Sequence, residues 1–291
     1  MTDSKHTILV ATDFSTRSDR ALRRAVLMAK QYGTDLALVH AIDDERPRLF
    51  VDGDIARVRP ALEELAATFR DIDGVDCQAR IAFGAADEGV IHTADELDVD
   101  LIVIGPHRRR AVKDAFVGTT AERIIRRSGR PVLMAKAAPT GIYSRLLIAT
   151  DLREGAVGVV AVLKKLGMIE NADVGVLHAF EPTLGEAAQA GSEASEELGE
   201  HAAGQRALTS EEMEDFLAAT GLEPEFEAIQ SSELSIAELI EDRSQDWKAD
   251  LIVVGTHERS YVGRLLFGST AEEVMKRSPV DVLVVPIDGR D

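Results

Sequence analysis

Two eighteen-residue stretches, "GTTAERIIRRSGRPVLMA" from Gly118 to Ala135 and "GSTAEEVMKRSPVDVLVV" from Gly268 to Val285, open on the same step: a glycine followed by hydroxyl residues. Glycine admits close backbone approach. The amides of a helix's first turn, at the positive end of its dipole and beside a hydroxyl, can hold a phosphate oxygen. Gly118-Thr119-Thr120 and Gly268-Ser269-Thr270 are therefore candidate anion cradles. The competing reading is a plain helix cap, because Ser and Thr are favoured there anyway. Thirteen residues upstream of each glycine stands another, Gly105 and Gly255, closing the apolar runs "DLIVIG" and "DLIVVG". Asp13 ends "ILVATD" and Asp151 ends "LLIATD". A carboxylate after a strand can accept hydrogen bonds from a ribose or an adenine amino group, or it can tie its own loop. At His40-Ala41 and His178-Ala179 the backbone could receive a base edge, while histidines at strand ends are more often packed and hydrogen-bonded.

Other chemistry is poorly supplied. "GRLLFGS" has the glycine spacing of a phosphate-binding Walker loop without its lysine. No G-x-S-x-G elbow supplies a nucleophile. Cys77 is the single cysteine, so neither an internal disulfide nor a multi-cysteine metal site can form. His107 and His257 are lone histidines in matching loops. No catalytic residue and no metal ligand is assigned.

The elements that must position these residues come as a repeat. "ILVATD" and "DLALVHA" return 138 residues later as "LLIATD" and "DVGVLHA"; "DLIVIG" and the Gly118 stretch return after 150. An insertion of about twelve residues explains the change, and the acidic, Ala- and Gly-rich segment at about 181–205 is its natural place. Two domains are expected, 1–140 and 141–291, joined at "KAAPTGIYS" with Pro139 and Gly141 as punctuation. Each half alternates five short β-branched runs with four helical periods. In "SDRALRRAVLMAKQYG", Ala21, Leu22, Ala25, Met28 and Ala29 recur at helical spacing, Ser18 is the expected cap, and Gly33 the stop. The pattern predicts an α/β chain of two doubly wound domains, each a five-stranded parallel sheet with helices on both faces. Ligands in such sheets bind beyond the carboxyl ends of the strands, where strand order reverses.

Composition agrees with that class. The 291 residues are 45% hydrophobic but only 4% aromatic, which suits sheets of Val, Ile, Leu and Ala under helices. The formal net charge is −18, yet residues 1–140 hold 21 Lys and Arg against 22 Asp and Glu, so the second half carries nearly all of it. An acidic chain argues against nucleic acid and anionic membranes as partners. No apolar stretch approaches a spanning helix, and a cytoplasmic location is expected.

The "ATDFS" after the first strand, "LVHAID" at the second and the "DLIVIG…GTTAERIIRRSGRPVLM" tail, each with its echo in the second half, resemble the universal stress protein family. The resemblance covers nearly the whole chain apart from the acidic insertion. It implies a tandem member with two fused domains of the adenine nucleotide alpha hydrolase-like fold. Such domains pair through their last strands, so Pro131–Ala135 and Asp281–Val285 would be neighbours in an internal pseudo-dimer, with a further homodimer open to it. Nucleotide-binding members carry G-x2-G-x9-G-[ST]. Here Gly105, Gly118 and Thr119, and Gly255, Gly268 and Ser269, match, but Arg108 and Glu258 replace the middle glycines. Pro106 removes a further donor in the first loop, Glu258 sets a negative charge in the second, and the basic run around Arg108 favours the first half electrostatically. The implied role is a stress-response sensor or regulator, with slow ATP hydrolysis the most that it would catalyse. The implied ligand is ATP or another adenine nucleotide, with Mg where it accompanies ATP, over Asp13, Ala41, Gly105, Arg108, Gly118, Thr119 and Thr120. The second set is Asp151, Ala179, Gly255, Gly268, Ser269 and Thr270. The alternative is a scaffold of the same fold that has lost the nucleotide and works through protein partners.

Overall fold

The computed structural model describes residues 6–106, 119–153, 155–180, 209–231, 235–257 and 268–287. Arg108, Gly118, Glu258 and the 181–205 insertion lie outside the described residues. The first half runs β1 (Thr7–Ala11), α1 (Thr16–Tyr32), β2 (Asp35–Ile42), α2 (Arg48–Asp71), β3 (Cys77–Phe83), α3 (Ala86–Glu96), β4 (Leu101–Ile104), α4 (Thr120–Arg127) and β5 (Val132–Met134). The second runs β6 (Arg145–Thr150), α5 (Ala156–Lys165), β7 (Asp173–Phe180), α6 (209–220), β8 (Phe226–Ser231), α7 (Ile236–Trp247), β9 (Leu251–His257), α8 (Ser269–Arg277) and β10 (Asp281–Ile287).

The strands of each half are parallel and reverse order at β1/β4 and at β6/β9. Together they form one ten-stranded sheet, β3-β2-β1-β4-β5-β10-β9-β6-β7-β8. The chain is thus α/β, a mostly parallel sheet flanked by helices, as expected. Leu9, Val10, Leu38, Val39, Ile102 and Val103 are fully buried, which is why these strands read as unbroken apolar runs rather than alternating ones. The last strands meet antiparallel, with Leu133 opposite Leu283 and Val132 opposite Val284. The predicted neighbours are therefore partners in the sheet.

Local signals explain most boundaries. Gly33 stops α1 in the left-handed conformation at φ 66°. The cap of α1 is Ser15, three residues before the expected Ser18. Ser15 Oγ accepts the Ser18 N–H at 3.4 Å, while the Ser18 hydroxyl donates to the Ser15 carbonyl at 3.0 Å and lies 3.1 Å from Thr12 Oγ1. Ser18 is therefore a buried helical residue that ties the turn from inside.

A buried polar cluster seals one end of the joint between halves. The Asp281 carboxylate accepts Arg24 Nε at 2.9 Å, Tyr143 Oη at 2.6 Å and the N–H groups of Lys136 and Ala137 at 2.7 and 2.8 Å. With Asp281 at 0% and Arg24 at 4% exposure, each charge depends wholly on these partners.

Candidate functional site

Each half opens a crevice at the point where its strand order reverses. The first, about 430 Å³, is walled by Asp13, Arg17, His40, Ala41, Gly105 and Thr120, with Val90 of α3 and Ile124 of α4 beneath. The second, about 370 Å³, is walled by Asp151, Arg153, Ala179, Gly255, Gly268 and Thr270 over Leu177, Ile236, Ile240 and Val254. Volumes of this size suit a small-molecule ligand.

The turn after the first strand is built alike in both. Asp13 Oδ1 accepts the Ser15 N–H at 3.0 Å, and Asp151 Oδ1 the Arg153 N–H at 3.2 Å. The loop-tying role weighed for these carboxylates is therefore in use, although both still line their crevices. Burial opposes charge on Asp13, but hydrogen bonds from Ser15 and Ser18 and the Arg17 guanidinium outweigh it and hold the carboxyl below the usual range. Thr12 and Thr150 were not legible as site residues, though the repeated "ATD" contained both. Their hydroxyls accept the N–H of Phe14 at 3.0 Å and of Leu152 at 3.1 Å. Their carbonyls accept Nδ1–H of His40 at 2.8 Å and of His178 at 3.0 Å, which makes both histidines structural, as favoured from sequence. Phe14 and Leu152 each sit at φ 57°. A bulky side chain there costs about 1–2 kcal/mol, and its recurrence beside both crevices marks a turn held for its shape.

The glycines divide. A Cβ on Gly105 would stand 2.7 Å from the Arg17 carbonyl oxygen, so this glycine lets α1 cross the end of β4. A Cβ on Gly255 would meet Ile287 Cδ1 at 2.3 Å. Close approach is needed at both, but to the protein's own backbone and side chains. Gly268 has open space around it.

The two helix starts differ as well. Thr119, 8% exposed, caps α4, with Oγ1 accepting the Glu122 N–H at 3.1 Å; it does not form part of the crevice wall. In the second half the cap position is Gly268, with no side chain on the helix end, and Ser269 is exposed in the first turn outside the wall. The plain cap is thus realised in the first half, and the bare helix start in the second. α5, which also borders the second crevice through Ala156, likewise begins on a glycine, Gly155, without a side-chain cap.

Among the described residues no three His, Cys, Asp or Glu side chains converge to hold a metal ion, and no helix is long and apolar enough to cross a membrane. Cys77 is buried, and burial pushes its thiol up to about 12, which keeps it unreactive in the folded state.

Comparison with known proteins agrees with this geometry. The profile of the universal stress protein family matches twice, over residues 5–136 and 142–286. A universal stress protein of Thermus aquaticus is 32% identical over 134 residues, 45% of this chain and 98% of that protein. One from Methanocaldococcus jannaschii is 23% identical over 151 residues, 44% of this chain and 93% of its own length. Among solved structures, a universal stress protein of Archaeoglobus fulgidus aligns with a TM-score of 0.71 at 21% identity, covering 97% of this chain and 99% of that one, which is a likeness of fold.

Proposed function

This chain belongs to the universal stress protein family, and on that premise we propose that it is an adenine-nucleotide-binding regulator of a stress response rather than a catalyst. The observation that carries this reading is the start of α8 at the mouth of the second crevice, where the cap position is Gly268 and no side-chain cap is present among the described residues. Amides in a first helical turn that no side chain caps are donors for a phosphate oxygen, and the helix dipole adds attraction. Thr270 supplies a hydroxyl beside them. The base lies over Leu177, Ile236 and Ile240 with its edge toward Ala179 and Asp151. The first crevice takes the same ligand less well, because the Thr119 hydroxyl already satisfies the start of α4. This reverses the preference that the basic run around Arg108 suggests. The carboxylates lining the described walls, Asp13 and Asp151, hold their own turns, which favours binding over turnover.

The test is calorimetric titration of the full-length protein with ATP, with and without Mg. Saturable heat that disappears in Gly268→Asp is expected. No heat from the wild type at millimolar nucleotide would remove the proposal and favour the scaffold reading. That second reading draws support from Gly105 and Gly255, whose packing alone accounts for both glycines.

A further inference from the structure

The two ends of the β5–β10 joint are related by the internal repeat, yet they are made of different residues. With offsets of 138 and 150, Arg24 on α1 corresponds to Val162 on α5, and Asp281 opening β10 corresponds to Pro131 just ahead of β5. At one end stands the buried Arg24–Asp281 pair. At the other, Val162 and Pro131 line a small cavity of about 190 Å³ with Leu166, and its carboxylates Asp98 and Asp100 are already paired with Arg130 and Lys165. The partners of the charged pair are divided between halves. Arg24 Nε, Lys136 N–H and Ala137 N–H, all from the first half, converge on Asp281, and Tyr143 adds a donor from its own half. Both acceptors of Arg24, Asp281 and the Gly141 carbonyl at 2.7 Å, come from the second half.

We infer that Arg24 and Asp281 form a pairing code: the β5 edge of a first half accepts the β10 edge of a second half, and neither edge accepts a copy of itself. Two first halves would set Arg24 against Pro131, a buried cation deprived of the Asp281 carboxylate. Two second halves would set Asp281 against Val162, a carboxylate deprived of the Arg24 guanidinium and, with Pro286 standing where Lys136 stands, of one of its two backbone donors. A stranded buried charge is strongly disfavoured, so discrimination comes from the penalty on the wrong partner. The consequence is closure. First-with-second pairing can close within one chain, whereas like-with-like pairing needs a second copy for every edge and therefore cannot give a closed monomer. This inference stands apart from nucleotide binding.

The test begins with the full-length protein carrying a protease site between Pro139 and Thr140, where Ala138 and Thr140 are exposed. The folded protein is cleaved, unfolded in urea and refolded by dilution, and native mass spectrometry identifies the pairs. The wild type is expected to return first–second pairs alone. Val162→Arg sets a guanidinium where a second half would meet another copy's Asp281, which makes the second half self-complementary, and second–second pairs are expected to appear. Arg24→Met is expected to release first–first pairs while second–second pairs stay absent. Circular dichroism of the uncleaved variants reports folding, and if Arg24→Met does not fold, the Val162→Arg arm decides. Like-with-like pairs from the wild type, no first–second pair from it, or no second–second pair from Val162→Arg each overturn the code.

Discussion

The Thr119 hydroxyl accepts the Glu122 N–H at 3.1 Å, whereas at the matching start of α8 Gly268 places no side chain on the helix end. The same step in the repeat is thus a finished cap in one half and an open one in the other. Thr119→Ala is expected to lower stability by about 1 kcal/mol in urea unfolding and to leave nucleotide affinity at the second crevice unchanged. A parallel loss of affinity would show that the first half holds the ligand.

Gly268→Asp tests the other side of that contrast. Gly268 sits at φ −59°, and an added Cβ meets nothing within 4 Å among the described residues. An aspartate caps α8 and is expected to raise stability by about a few tenths of a kcal/mol. The same carboxylate, about 4 Å from a phosphate charge, repels it by roughly 4 kcal/mol at an effective dielectric near 20, enough to abolish measurable binding. Opposite signs from one substitution, a higher urea midpoint and a lost calorimetric signal, are the expected outcome. Unchanged ATP heat would move the phosphates elsewhere.

Gly105→Ala and Gly255→Ala should separate although the two positions match in the repeat. At Gly105 the added carbon meets backbone, the Arg17 carbonyl oxygen at 2.7 Å and carbon at 2.9 Å, and α1 must shift to admit it. About 1–3 kcal/mol of destabilisation is expected. At Gly255 the obstacle is the Ile287 Cδ1 methyl, which Ile287→Val removes. The double variant Gly255→Ala/Ile287→Val should recover most of what Gly255→Ala loses, and failure to recover would place the strain in the strand itself.

Much of this architecture is readable from residues that obey the repeat. The apolar runs of β1, β2 and β4, the Gly33 stop and the β5–β10 neighbours follow from periodicity and from duplicated strings, because packing on both faces of a sheet leaves a dense apolar signal. Details that need an atom's neighbour are not readable in that way. Gly105 and Gly255 look like ligand loops, and only the proximity of Arg17 and Ile287 shows what each accommodates. Ser15 rather than Ser18 caps α1 because Thr12 and the Ser15 carbonyl engage the Ser18 hydroxyl, a contact set by the turn at Phe14. Arg24 and Asp281 break the repeat, so a reading built on matching positions passes over both.

Alkaline pH should loosen the joint through Tyr143. Burial, and then the adjacent Asp281 carboxylate, hold its phenol well above the ordinary value of 10. The folded state therefore favours the neutral phenol. That stability is intact below pH 10 and is lost as pH rises beyond it, by about 1.4 kcal/mol per pH unit for one such group. Tyr32, pushed to about 12 by burial, acts in the same direction. Urea midpoints measured from neutral to alkaline pH should fall above 10, and Tyr143→Phe should show a shallower fall from a lower neutral starting point, having lost the hydrogen bond to Asp281. An equal slope in the variant would assign the alkaline limb to other groups.

Cys77 gives a probe of where the sheet opens first. It lies on β3, which among the described residues is the end strand of the sheet, hydrogen-bonded to β2. Its thiol is buried and held up at about 12, so a thiol reagent reaches the reactive thiolate only after opening. The cover over β3 is α2, whose buried residues, Leu62, Ala66 and Phe69, all lie in its second half, while Leu49 and Phe50 at its start are exposed. Release of α2 and β3 leaves the other nine strands of the sheet paired, and it is expected to occur at lower free energy than global unfolding. Labelling of native protein should then be faster than the urea-derived stability allows, and its rate should not change in Arg24→Met, which weakens the far joint. A labelling rate that matches global stability and accelerates in step with Arg24→Met would instead mean that the ten strands open as one unit.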